Sequence, residues 1–208
     1  MRTLLAALAA VGAGTPDVHK LILQPTQVGT GYVLLHRADG SGVKGTVTLD
    51  LCGRKGYSSE KLRTARLQVN YLKRGSTFGL SNEVVTYKPG GAAQAMREVV
   101  DHALGCPRTP VDTGEPGLPP LHFTITRLVG PGLLKGALAV RVRVTGNVQG
   151  KHVDQTSYAA YQRLGNVLSG VYSFGPKTPQ QLRFFLRAAE QSARNLRHGG
   201  PAPAAPTA

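Results

Sequence analysis

Twice along the chain, segments that alternate apolar and polar residues give way to one segment with helical spacing. That order constrains the fold more than any other feature. In the first run, Leu67, Val69 and Tyr71 alternate with Arg66, Gln68 and Asn70 over Ala65 to Lys73. Successive strand side chains point to opposite faces, so the pattern predicts a strand with one buried face. Tyr32 to His36 is a short apolar run ahead of it, and Gly45 to Cys52 alternates in TVTLDLC. Phe78 to Tyr87 follows across an Arg74-Gly75-Ser76 turn and ends at Pro89-Gly90-Gly91. From there to Leu104, Ala92, Met96, Val99, Val100 and Ala103 fall on one helical face, opposite Arg97, Glu98 and Asp101. Gly105-Cys106-Pro107 stops that helix.

The second run repeats the order. Leu121 to Leu128 reads as a strand, and Ala139 to Val148 sets Val140, Val142 and Val144 against Arg141, Arg143 and Thr145. Gln149-Gly150 turns into Lys151 to Gln162, and Leu164-Gly165-Asn166 turns into Val167 to Phe174. Thr178 caps the last helix and Pro179 takes its first position. Its apolar stripe is Leu182, Phe185, Leu186, Ala189, Ala193 and Leu196. A short helix over Pro16 to Leu23, stopped by Pro25, precedes both runs. The expectation is an α+β fold, an antiparallel β-sheet flanked by helices, built from two strand-run-plus-helix halves in one domain over residues 15–198. Residues 107–120 form a proline-rich connector inside it.

At the start, Arg2 precedes an apolar stretch from Thr3 to Val11 and then small residues around Val11-Gly12-Ala13. This is the order of a secretory signal, so residues 1–14 are expected to be a signal peptide. Residues 199–208, which hold no large apolar side chain, are expected to be a disordered tail. No apolar run reaches the ~18–20 residues of a membrane-spanning helix. Cys52 and Cys106 are the only cysteines. They are too few for a zinc site without histidines at close spacing, which leaves a disulfide or two unrelated buried thiols. A bridge would close a loop of about 54 residues and contribute on the order of 4 kcal/mol. The even count and the signal-like start agree with the bridge.

The chain carries 25 Lys+Arg against 11 Asp+Glu, a formal net charge of +14. Seven of the basic residues lie between Arg54 and Arg74, with Glu60 as the one acid. Arg54, Lys55, Arg63, Arg66, Lys73 and Arg74 are therefore the candidate face for an anionic ligand. Arg141 and Arg143 share a strand face, and Arg183, Arg187, Arg194 and Arg197 lie on the last helix. A basic face suits nucleic acid, an anionic phospholipid surface, an envelope polymer or a small anion, and it also suits plain solvation. Nucleic-acid recognition asks for exposed aromatics or a groove-reading helix besides, and no such motif is present.

Catalytic signatures are missing as well. There is no nucleophile elbow, phosphate loop or HExxH, and His19, His36, His102, His122, His152 and His198 show no i, i+4 pair. GTGY at Gly29 to Tyr32 precedes a strand and reads as a turn. Asp50 and Glu83 are lone strand acids that line a cleft or pair with arginine. No enzyme, metal or cofactor is expected.

Three segments together resemble a known family. They are QVGTGY (Gln27 to Tyr32), TLDLCG with SSEKLRTARLQVNY after it, and SNEVVTYKPGGAAQAMREVVDHALGCP. The whole is similar to the actinobacterial sensor-type domain carried outside the membrane by some serine/threonine kinases and by many secreted proteins and lipoproteins. The resemblance covers most of Pro16 to Arg197. It implies a sheet sandwiched between helices, a disulfide returning Cys106 at the helix end to Cys52, and binding of small or cell-envelope ligands. The expected function is thus a secreted or extracytoplasmic, non-enzymatic binding or sensor-like module. The alternative is a cytoplasmic basic nucleic-acid-binding protein.

Overall fold

The computed structural model of the protein describes residues 16–38, 52, 56–113, 117–174 and 178–199. The expected leader, the TVTLDLC strand apart from Cys52, Asp50, Arg54, Lys55 and the tail from residue 200 lie outside the described residues.

The alternating segments form strands: β1 (Tyr32–Ala38), β2 (Arg63–Lys73) and β3 (Gly79–Tyr87), then β4 (His122–Leu128), β5 (Leu138–Val148), β6 (Lys151–Leu164) and β7 (Val167–Phe174). They make one seven-stranded sheet in the order β1-β2-β3-β7-β6-β5-β4. Each run is an antiparallel meander. The two meanders join where β3 meets β7, with Glu83 opposite Gly170 and Asn82 opposite Val171. The fold is α+β, as the pattern predicts. Gln149 and Gly150, both at positive φ (51° and 75°), form the tight turn between β5 and β6.

Helices cover both faces. On one, α1 (Val18–Leu21), α2 (Pro25–Val28) and α4 (Pro179–His198) join a core with Leu67, Val69, Tyr71, Leu80, Val84, Ala160 and Val171. On the other, α3 (Gly91–Leu104) lays Ala92, Ala95, Val99 and Ala103 near Val85, Leu138, Val140, Tyr161 and Leu168. The first helix is shorter than its apolar spacing suggests. Pro25 opens a second turn instead of merely stopping the first, because its missing N–H is not needed at a helix's first position. Thr178 accepts the Gln181 N–H and Gln181 reaches back to the Thr178 N–H, a capping box that starts α4.

Buried polar side chains pin the layers in register. Asn82 accepts the Leu23 N–H at 2.8 Å and donates to the Gly170 carbonyl at 2.8 Å, so β3 grips α1's end and β7 at once. Ser169 meets Ser192 of α4 at 2.8 Å, and Gln162 donates to the Ala189 carbonyl at 2.7 Å. Unpaired, each of these groups would cost about 1–3 kcal/mol, so only this registry of helix on sheet satisfies them. On the opposite face, Glu98 of α3 accepts from the Ser58 hydroxyl at 2.6 Å and also from Ser59. This fastens a 3-10 turn, Ser58–Leu62, to the helix. Burial pushes the Glu98 carboxyl up, but the hydrogen bonds from Ser58, Ser59 and Gln94 outweigh it and hold the group below its usual range. Cys106, just past the end of α3, is joined to Cys52 in a disulfide with Cα atoms 5.7 Å apart.

Candidate functional site

Of the six basic residues expected to share one face, the four that are described, Arg63, Arg66, Lys73 and Arg74, are divided by the fold. Arg63 and Arg66 are buried, at 6% and 5% exposure. Leu67, Val69 and Tyr71 turn to the α1/α4 core, which sends Arg66 to the opposite face, and that face is covered too. Lys73 and Arg74 are exposed at the far end of β2. Ten residues at ~3.3 Å each put Lys73 ~33 Å from Arg63, too far for one small ligand to touch both. Arg63 and Arg66 therefore do not share a solvent-facing surface with Lys73 and Arg74. Arg63 and Arg66 belong to the interior, and Arg54 and Lys55 lie outside the described residues.

What Arg63 and Arg66 build is a buried ion cluster. Arg66 Nε donates to Glu83 Oε1, and its Nη2 donates to Gln68 Oε1. Gln68 in turn donates to the Ser81 hydroxyl at 2.9 Å. Arg63 Nη2 sits 2.8 Å from Glu60 Oε2. The Tyr172 hydroxyl reaches Glu83 Oε2 at 3.4 Å. Gly170 faces Glu83 across the β3–β7 ladder, and a Cβ there would collide with the Tyr172 hydroxyl. The glycine is the space that lets the phenol in.

Burial pushes the Glu83 carboxyl above its ordinary value, while Arg66 and Arg63 draw it back. Burial also raises Glu60, against the pull of Arg63. The Tyr172 hydroxyl, pushed up by burial and then by Tyr161 and Glu83, stays protonated and can only donate when it bonds a carboxylate. Two arginines meet two glutamates here, so both cations find their partners within the fold. Its chemistry is that of a structural network tying β2, β3 and β7 together.

Some of the exposed cations line shallow concavities elsewhere. One groove of about 290 Å³ is lined by Met96, Arg97, Val100 and Asp101 of α3, by Lys135 and Gly136 of the β4–β5 loop, and by Arg163 at the end of β6. A second, of about 340 Å³, lies on the open half of the sheet among Arg141, Arg143, Asp154, Thr156 and Tyr158. It is open because α4 packs on β6 and β7. There Arg143 makes a two-point contact with Asp154, at 3.0 and 2.7 Å. A third, of about 310 Å³, borders the disulfide between Leu104, Arg108, His122 and Phe123. Among the described residues no three His, Cys, Asp or Glu side chains are grouped to hold a metal, and no helix is long and apolar enough to cross a membrane. The α3 groove was not foreseen from the sequence. Arg97 was legible as part of a polar helical face, but Lys135 and Arg163 meet it from segments about forty and seventy residues away, which only the strand order brings together.

The fold is similar to that in the crystal structure of the extracellular domain of PknH from Mycobacterium tuberculosis. The TM-score is 0.53 at 12% sequence identity, over 84% of this chain and 93% of that one. At this identity the likeness is one of fold, and it meets the sensor-type resemblance read from the sequence at that level. No protein-family model matches the chain, and no curated protein matches it in sequence.

Proposed function

We propose that the chain is a non-enzymatic, extracytoplasmic binding module for an anionic cell-envelope ligand, small or polymeric. The observation that carries this reading is the Cys52–Cys106 disulfide set in a fold shared with a kinase extracellular domain. Structural disulfides persist in oxidising compartments and are rare in the cytosol of mesophiles. The signal-like order of residues 1–14 supports the same compartment, and the cation-lined grooves supply surfaces for an anion. Nucleic acid fits less well, since the basic stretch that suggested it spends Arg63 and Arg66 on internal glutamates.

The test is non-reducing mass spectrometry of the protein recovered from its native host. A Cys52–Cys106 peptide in the extracytoplasmic fraction, on a chain shortened near residue 14, is the expected result. Two free thiols on a full-length cytoplasmic protein would sink the reading. Replacing both cysteines with serine should lower unfolding stability by about 4 kcal/mol, read by chemical denaturation. If stability is unchanged, the bridge adds no constraint on the unfolded chain.

A further inference from the structure

We infer that the groove between α3, the β4–β5 loop and the end of β6 binds a phosphoryl polyol, a phosphate ester on a hydroxylated carbon skeleton. This deepens the binding-module reading and rests on it for biological sense, but its test uses purified protein and is independent of export.

Three cations converge here from three separate elements: Arg97 from α3, Lys135 from the loop and Arg163 from β6. The single acid in the lining is Asp101. Two exposed arginines elsewhere are held by carboxylates, Arg143 by Asp154 and Arg194 by Glu190 at 2.8 Å. In the groove, Arg97 and Lys135 have no ion-pair partner among the described residues. Arg163 donates only to the Gly165 carbonyl, at 3.2 Å. Like charges gathered in a concavity repel one another and focus a positive field, which an arriving anion relieves. A phosphate ester presents several terminal oxygens in different directions, which suits donors approaching from three sides. A planar carboxylate with two oxygens satisfies fewer of them.

The walls are fixed before any ligand arrives. The Leu134 N–H donates to Gln162 Oε1 at 3.1 Å, and Gln162 is itself buried and tied to α4 through the Ala189 carbonyl. Arg197 Nη2 donates to the Gly132 carbonyl at 3.2 Å, so the loop carrying Lys135 is held by β6 at one point and by α4 at another. α3 is fastened by Glu98 to the 3-10 turn and by the disulfide just beyond its end. Little ordering remains to be done on binding.

The rest of the lining names the ligand's body. Met96 and Val100 form an apolar floor against which the C–H face of a polyol or sugar packs, and the exposed Asp101 carboxylate accepts from its hydroxyls. At about 290 Å³ the groove takes one such unit rather than a run of polymer. It contains no aromatic platform for a base, which argues against a nucleotide in a single strand.

The unit occurs free in solution and as a phospholipid headgroup, and the experiment separates these sources. The purified full chain is titrated with glycerol 3-phosphate, inorganic phosphate and glycerol by calorimetry. It is also sedimented with phosphatidylcholine vesicles with and without phosphatidylglycerol. Saturable binding of glycerol 3-phosphate, tighter than inorganic phosphate and absent for glycerol, is expected. Lys135→Ala and Arg163→Ala should each weaken it tenfold or more with an unchanged Tm, while Arg194→Ala leaves it intact. Asp101→Asn should weaken glycerol 3-phosphate and spare inorganic phosphate. Retention on phosphatidylglycerol vesicles alone, lost in Lys135→Ala, assigns the same site to the lipid-borne form. Binding to neither probe, or binding indifferent to Lys135→Ala and Arg163→Ala, overturns the site. Equal losses of both phosphates in Asp101→Asn overturn the polyol half of the assignment.

Discussion

Arg66–Glu83 and Arg143–Asp154 are the same construction placed in two environments. Each joins an arginine on one strand to a carboxylate on the neighbouring strand, one diagonal step from the residue directly opposite. The first pair is buried, with side chains 6% and 3% exposed; the second is open, at 55% and 33%. In the open pair the partner dominates: hydrogen bonding to Asp154 favours the charged guanidinium of Arg143. In the buried pair desolvation dominates, and Glu83 is raised although it touches an arginine. Water, not geometry, separates the two. A buried pair adds little net stability over apolar residues of equal volume, yet it is costly to break, because the survivor is left charged and dry.

Removing one partner inside should have the largest effect. Arg66→Ala is expected to lower unfolding stability by about 3–5 kcal/mol in urea denaturation, since Glu83 is then buried without its counter-ion. A loss below about 1 kcal/mol would mean that water reaches the site and that the two pairs are alike. Next comes Gly170→Ala, which crowds the Tyr172 hydroxyl that reaches Glu83. It should cost about 1–3 kcal/mol by thermal or chemical unfolding. A neutral outcome would show that Tyr172 moves aside freely. Replacing both partners, Arg66→Met with Glu83→Leu, should leave stability unchanged or raise it by about 1–4 kcal/mol. A large loss in that double variant would show the buried pair to be a net stabiliser.

The pH dependence sharpens the contrast. Because the folded Glu83 holds its proton more tightly than the usual value of 4.5, its contribution favours folding fully below about pH 4.5 and is lost as pH rises through the raised value. Measured as the difference between the parent and Glu83→Gln, stability should shift against the parent as pH climbs above about 4.5. A flat difference would place the Glu83 pKa at its unfolded value. The smallest effect belongs to the open pair. Arg143→Ala should leave Tm within the error of the parent, with any change vanishing in high salt.

Much of the fold was legible because its signals are local. Val140, Val142 and Val144 alternate within one strand, and Thr178-Pro179 caps its own helix. The turn at Gln149-Gly150 needs only its two residues. The last helix was readable down to Phe185, Ala189 and Leu196, all buried as the 3.6-residue period requires. The basic face was not legible, because a polar position on an amphipathic strand marks the side away from one core and cannot report a second layer. Arg66 sits opposite Leu67 in the alternation and would meet solvent in a two-layer protein. Here helices lie on both faces, and the same alternation leads it into the interior.

The chain by itself thus determined the strands of the described sheet, the caps and the turns, all set by nearest neighbours along the backbone, while the cysteine count left a bridge or two separate thiols. Tertiary structure decided which polar residues are inside and which cations stand together. Burial depends on what packs above a face, and convergence depends on strand order, so both come from segments far apart in sequence. Arg66 and Arg163 differ little as letters. The β2–β3–β7 interior gives one a glutamate, and the α3 groove leaves the other facing solvent beside Arg97 and Lys135.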